Sequence, residues 1–198
     1  MSYLLHLKKD PILAPLLRDN KKLTPIKRNI PAYLMSAIVS QQLSTRVAAV
    51  IWQRICAIYG GRTPRPEEVV ATPDALLRAA GLSNSKTLYL KEVARYFMEY
   101  PLSPAQAARQ TDEQLLLQLT AIKGVGTWTV QMFLMFGLAR PDIFAPGDGG
   151  IQSAMIRLYN LQHLNKKELV REMELIAENW RPYRTYACLH LWDWKDGK

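Results

Sequence analysis

The chain has 198 residues, 48% of them hydrophobic, and a formal net charge of +9. That length holds one domain, or two small lobes, with a core large enough to need neither disulfides nor a structural metal. Two cysteines cannot build a four-cysteine zinc site or a cubane iron–sulfur cluster, and Cys56 and Cys188 each lie in an apolar run that reads as a reduced core thiol.

Residues 1–10 carry no signal-peptide pattern and no apolar stretch approaches the roughly 18 residues of a membrane span, so the expected location is cytoplasmic. Period-2 alternation is absent throughout, and helical punctuation recurs. Two apolar helices between Pro31 and Tyr59 meet at Ser40-Gln41-Gln42-Leu43-Ser44, with Ser44 as N-cap of the second and Gly60-Gly61 as its stop. Thr72-Pro73 opens a short helix closed by Gly81, and Ser83 or Ser85 opens another that runs to about Tyr100. Thr111 and Gln114 have capping-box spacing and start a helix ending near Thr120. Beyond Lys123-Gly124-Val125-Gly126 a helix is predicted from about Thr127 to Leu138, and a loop with two prolines runs from Ala139 to Asp148. Further helices follow at about Gly149–Tyr159, Lys166–Asn179 and Pro182–Trp194, giving an all-α protein of about ten helices. The expected organisation is one domain over 1–198, with a central lobe at about 45–140 and a second lobe built from 1–44 and 141–198.

The excess of Lys and Arg favours a polyanionic partner, nucleic acid above all. Gly124 and Gly126 flank one apolar residue between two helices, which permits a tight turn and lets main-chain N–H groups approach a phosphate. Such a contact positions DNA without reading its sequence. Asp148, just before the helix opening at Gly149, is either an N-cap, a catalytic carboxylate, or both. His6 and His163 have no metal-ligand partners at useful spacing.

Leu119-Thr120-Ala121-Ile122-Lys123-Gly124-Val125-Gly126-Thr127-Trp128-Thr129, followed by Pro141-Asp142-Ile143-Phe144-Ala145-Pro146-Gly147-Asp148, resembles the helix-hairpin-helix DNA glycosylase superfamily. The likeness is to its alkylated-base branch, the 3-methyladenine DNA glycosylase II type, and extends from about Ile30 to Trp194. It implies a two-lobed helical glycosylase core acting on double-stranded DNA with damaged bases as a monomer associated with the nucleoid; larger bacterial relatives carry an N-terminal β domain before that core, whereas here the core begins within about thirty residues, so no such domain is expected. It implies excision of 3-methyladenine and 7-methylguanine by hydrolysis of the N-glycosidic bond, with Asp148 as the catalytic carboxylate and Asp142 in a structural position. Trp128, Met132, Trp192 and Tyr186 map to the base pocket. Lys123, Gly124, Val125, Gly126 and Thr127 map to the DNA-contacting hairpin, and Gln42 or its neighbour Leu43 to the wedge that fills the hole left by an extruded base. The resemblance implies no catalytic cofactor and no iron–sulfur cluster, but a sodium or potassium ion on the main-chain carbonyls of Thr120, Ile122 and Val125. Trp128 stands where lyase-competent relatives carry a nucleophilic lysine, and an indole cannot form a Schiff base. The competing readings are a non-catalytic helix-hairpin-helix DNA-binding module and a bifunctional glycosylase/lyase.

Overall fold

A computed structural model describes residues 2–18, 20–25 and 29–197 of the chain. Among these residues there are twelve α-helices and no strand. No described helix is long and apolar enough to cross a membrane. The chain divides into two compact units, Met1–Pro25 with Leu134–Lys198, and Ile26–Phe133.

The continuous unit holds α2 (Ile30–Ser40), α3 (Thr45–Ile58), α4 (Pro66–Ala71), α5 (Asp74–Ala79), α6 (Asn84–Glu99), α7 (Pro104–Arg109), α8 (Asp112–Thr120) and α9 (Thr127–Met132). Its axis is α6, which buries Thr87, Leu90, Val93, Ala94 and Phe97 along one stripe and packs against α2, α4 and α5. The unit begins near residue 26, where a start near residue 45 was expected. The reason is α2 itself: Ile30, Leu34, Met35, Ile38 and Val39 are buried, and the helix lies on α6 and α3. Several helix starts are where the sequence puts them. Ser44 Oγ accepts from Val47 N (3.4 Å) to cap α3, and Thr111 and Gln114 form a reciprocal box at the head of α8.

The discontinuous unit combines α1 (Tyr3–Leu7) and a 3-10 turn at Ala14–Leu16 with α10 (Gly149–Leu158), α11 (Lys166–Glu178) and α12 (Arg184–Lys195). Asp10 binds the two chain ends together, accepting from Tyr159 Oη (2.7 Å) and Trp180 Nε1 (2.8 Å) as well as from the N–H groups of Ile12 and Leu13. Those donors hold its carboxyl below the ordinary aspartate value against the opposing effect of burial. The helix expected over Thr127–Leu138 ends at Met132 and passes into a π turn, Phe133–Gly137. Phe133, Leu134 and Met135 are all buried there, and Arg140 N reaches back to Leu134 O (2.9 Å). A widened turn can bury three consecutive side chains, which a regular helix with one inward stripe does not. Cys188 is in the core, where burial pushes its thiol up to about 12; Cys56 is only half-buried on α3, so it is not the core thiol expected.

Candidate active site

The prolyl loop before α10 is held from both sides. Thr185 Oγ1 donates to Arg140 O (2.7 Å) and accepts from Ile143 N (2.9 Å), and Thr185 N donates to Pro141 O (3.0 Å). Asp142 is clamped by Arg184 Nε (2.8 Å) and Arg181 Nη1 (2.8 Å), with Arg184 Nη2 also on its carbonyl (2.7 Å). Its carboxylate is therefore committed to ion pairs that fasten the loop to α12 and to the segment just before it.

That loop delivers Asp148 to the mouth of α10. Its Oδ1 accepts from Ile151 N (2.9 Å), the N-cap bond, and from Trp192 Nε1 (2.8 Å) on α12. Asp148 is thus an N-cap and a half-buried carboxylate aimed by an indole. The approach depends on Gly150: a Cβ there would stand 2.9 Å from Trp192 Cδ1 and 3.0 Å from Asp148 Oδ1. Phe136, in the π turn, lies against the Trp192 ring with centroids 5.9 Å apart. Trp192 therefore has a hydrogen-bonding duty that its expected place in a pocket wall did not reveal, and Phe136 and Gly150 join it.

Tyr186 stacks on Tyr3 with centroids 4.1 Å apart and 15° between planes, so one face of its ring is taken by α1. Trp128 and Met132 sit one helical turn apart on α9, hence on one face, with Trp128 43% exposed. The Met132 carbonyl accepts from Tyr33 Oη (3.0 Å), tying that end of α9 to α2.

In the hairpin between α8 and α9, Lys123, Gly126 and Thr127 are exposed, but Val125 is not. Its side chain is 4% exposed and its N–H closes the turn on Ile122 O (3.0 Å), so the Val125 side chain anchors the hairpin from within and only its main chain remains for a DNA contact. The two glycines have different reasons. Gly124 has φ +92 and lies against Tyr89, whose Cβ would be 2.6 Å from an added Cβ. Gly126 has ordinary extended backbone and open space beside it. We expect Gly124→Ala to destabilise the protein by about 2 kcal/mol in urea unfolding, from a left-handed alanine and a displaced tyrosine together. Gly126→Ala should change stability by no more than about 0.5 kcal/mol, and its effect should fall on DNA affinity.

The carbonyls of Thr120, Ile122 and Val125 belong to this turn. Ile122 O has one lone pair on Val125 N–H and carries a second, and a set of neutral carbonyl oxygens suits a hard monovalent cation. Among the described residues no group of His, Cys, Asp or Glu is arranged to hold a metal. The wedge candidates stand at the turn between α2 and α3: Gln42 is exposed with φ +56, and Leu43 is 38% exposed.

The HhH-GPD superfamily of base excision DNA repair proteins matches residues 35–182. The chain belongs to that family. It is 32% identical to the YfjP protein of Bacillus subtilis over 85% of its own length, and spans 61% of the length of that relative. It is 33% identical to the DNA-3-methyladenine glycosylase of Saccharomyces cerevisiae, covering 94% of this chain and 76% of the yeast protein. The structure of the Schizosaccharomyces pombe 3-methyladenine DNA glycosylase Mag1 in complex with abasic DNA superimposes with a TM-score of 0.84 at 30% identity, over 98% of this chain and 96% of that one.

Proposed function

We propose that the protein is a monofunctional DNA glycosylase of base excision repair that removes alkylated purines from duplex DNA and acts as a monomer. The observation that carries this reading is the Asp148 carboxylate, fixed at the mouth of α10 by the Trp192 indole in a chain of the base-excision family. Cleavage of the N-glycosidic bond places positive charge on the deoxyribose, and an aspartate held in one orientation stabilises that charge and polarises the attacking water. The bonding pair leaves with the base, water adds to the sugar carbon, and the products are free base and an abasic site. A 3-methyladenine or 7-methylguanine base already carries positive charge and departs without a strong general acid, so one carboxylate suffices. Position 128 offers an indole and no amine, so strand scission through a Schiff base is not expected.

The exposed hairpin residues Lys123, Gly126 and Thr127 would meet the phosphate backbone, with Gln42 as the wedge. A sodium or potassium ion on the carbonyls of Thr120, Ile122 and Val125 would add positive charge at the same turn. With +9 overall and roughly five phosphates neutralised, log K for duplex DNA should fall against log salt with a slope of about −4 to −5. Fluorescence anisotropy between low and physiological salt measures it.

The deciding experiment is incubation with duplexes carrying 3-methyladenine or 7-methylguanine and chromatography of the released base. Salt-sensitive binding without release would return the chain to the non-catalytic reading.

A further inference from the structure

The first turns of α6 touch both segments that face DNA in the reading above, and one lysine makes the more demanding contact. Lys86 Nζ donates to Val39 O (2.8 Å), at the C-terminal end of α2, and to Gln41 O (2.6 Å), directly before Gln42. The side chain of Gln41 continues the chain of bonds, its Nε2 donating to Gly124 O (2.9 Å) in the hairpin. One turn on from Lys86, Tyr89 packs against the same Gly124. The wedge turn and the hairpin are therefore joined directly by Gln41 and jointly seated on Lys86 and Tyr89.

What needs holding is Gln42. Its φ of +56 is left-handed, which costs a non-glycine residue of the order of 1 kcal/mol, and its exposed side chain makes the turn dependent on its neighbours. An ammonium is an expensive way to hold it: burial lowers the pKa of Lys86, since the charged form gives up water for two carbonyls. The negative end of the α2 dipole offsets part of that cost. A methionine or leucine would pack as well, but would leave the Gln41 carbonyl without a donor from α6.

We propose that Lys86 is a positioning residue for base extrusion: through Gln41 it fixes the strained Gln42 turn at a set distance from the hairpin, so that Gln42 enters the duplex as the damaged base leaves. The inference rests on the glycosylase reading for the identity of the step, and on bonds within one unit for its geometry. The ammonium touches neither base nor sugar, so it governs insertion and not bond cleavage.

The test separates these steps. Single-turnover release of 7-methylguanine is compared between a duplex where the lesion faces cytosine and one where it faces an abasic-site analogue, in which extrusion costs less. In parallel, the fluorescence of 2-aminopurine opposite an abasic-site analogue reports insertion with no chemistry. Lys86→Met should slow release from the paired duplex about tenfold, leave the unpaired one within about twofold, and abolish most of the 2-aminopurine increment. Lys86→Arg, which can reach both carbonyls, should restore the increment. Gln41→Leu breaks the same bridge from the other side and should reproduce the pattern, which keeps the question open to decision if Lys86→Met folds poorly. Equal slowing on both duplexes, an unchanged increment in Lys86→Met and Gln41→Leu, or no increment with the wild-type protein would overturn the proposal. A wild-type increment without base release would refute the glycosylase reading while the insertion measurements still judged Lys86.

Discussion

Asp148→Asn should reduce single-turnover excision of an alkylated purine by at least about a hundredfold while leaving affinity for an abasic-site duplex nearly unchanged. The geometry allows this separation. Asparagine caps helices as well as aspartate does, and its Oδ1 can accept both the Ile151 N–H and the Trp192 indole N–H that Asp148 now accepts. What the substitution removes is the negative charge, which is needed only as the sugar becomes positive. Melting temperatures of the two proteins should agree closely. Near-normal turnover by Asp148→Asn would move catalysis to another group, and Asp142 is a poor alternative because its carboxylate is spent on Arg181 and Arg184.

Gly150→Ala is the second substitution with a large expected effect, and activity should lose far more than stability. Alanine in the first turn of a helix gains roughly 0.5–1 kcal/mol over glycine from backbone entropy. The same Cβ would press within 3.0 Å of both the Trp192 ring and Asp148 Oδ1, so the indole, backed by Phe136, must withdraw and loosen its hold on the carboxylate. Excision should fall about a hundredfold, the scale of a 1 Å misplacement of a reacting group, with a stability loss of no more than about 2 kcal/mol, the alanine gain offsetting part of the cost of moving the indole. A fall in activity no larger than the unfolded fraction explains would show instead that the glycine serves packing alone. Trp192→Phe offers a comparison from the other side: it keeps an aromatic ring against Phe136 but removes the N–H together with the rest of the pyrrole ring, so its loss of excision should be accompanied by some loss of stability.

Asp148 and the hairpin were legible in sequence because each is a local pattern: a carboxylate at a cap position after a prolyl loop, and two glycines between helices. The partners that orient Asp148 were not. Trp192 lies 44 residues away and the bond between them is a tertiary fact, as are the Lys86 bonds across 47 and 45 residues. The short helices α1, α4 and α7 escaped because five or six residues give too little periodicity, although Ser103 and Gln106 form a capping box at the head of α7 that was there to be found. The π turn escaped for a different reason: Phe133–Gly137 is apolar throughout, and apolar content alone does not distinguish a regular helix from a widened one.

The segment carrying Asp148 closes its unit only with help from residues near the start of the chain: Asp10 on Tyr159 and Trp180, Tyr3 on Tyr186, and Lys21 on Asp193. During synthesis the continuous unit between can collect its own core as it emerges, whereas α1 must wait for α12. A translation product interrupted after α9 would carry the Gln42 turn and the hairpin but not Asp148. The order of emergence thus leaves the unit that carries Asp148 to close after the continuous one, and the Trp192 bond that orients its carboxylate forms only then.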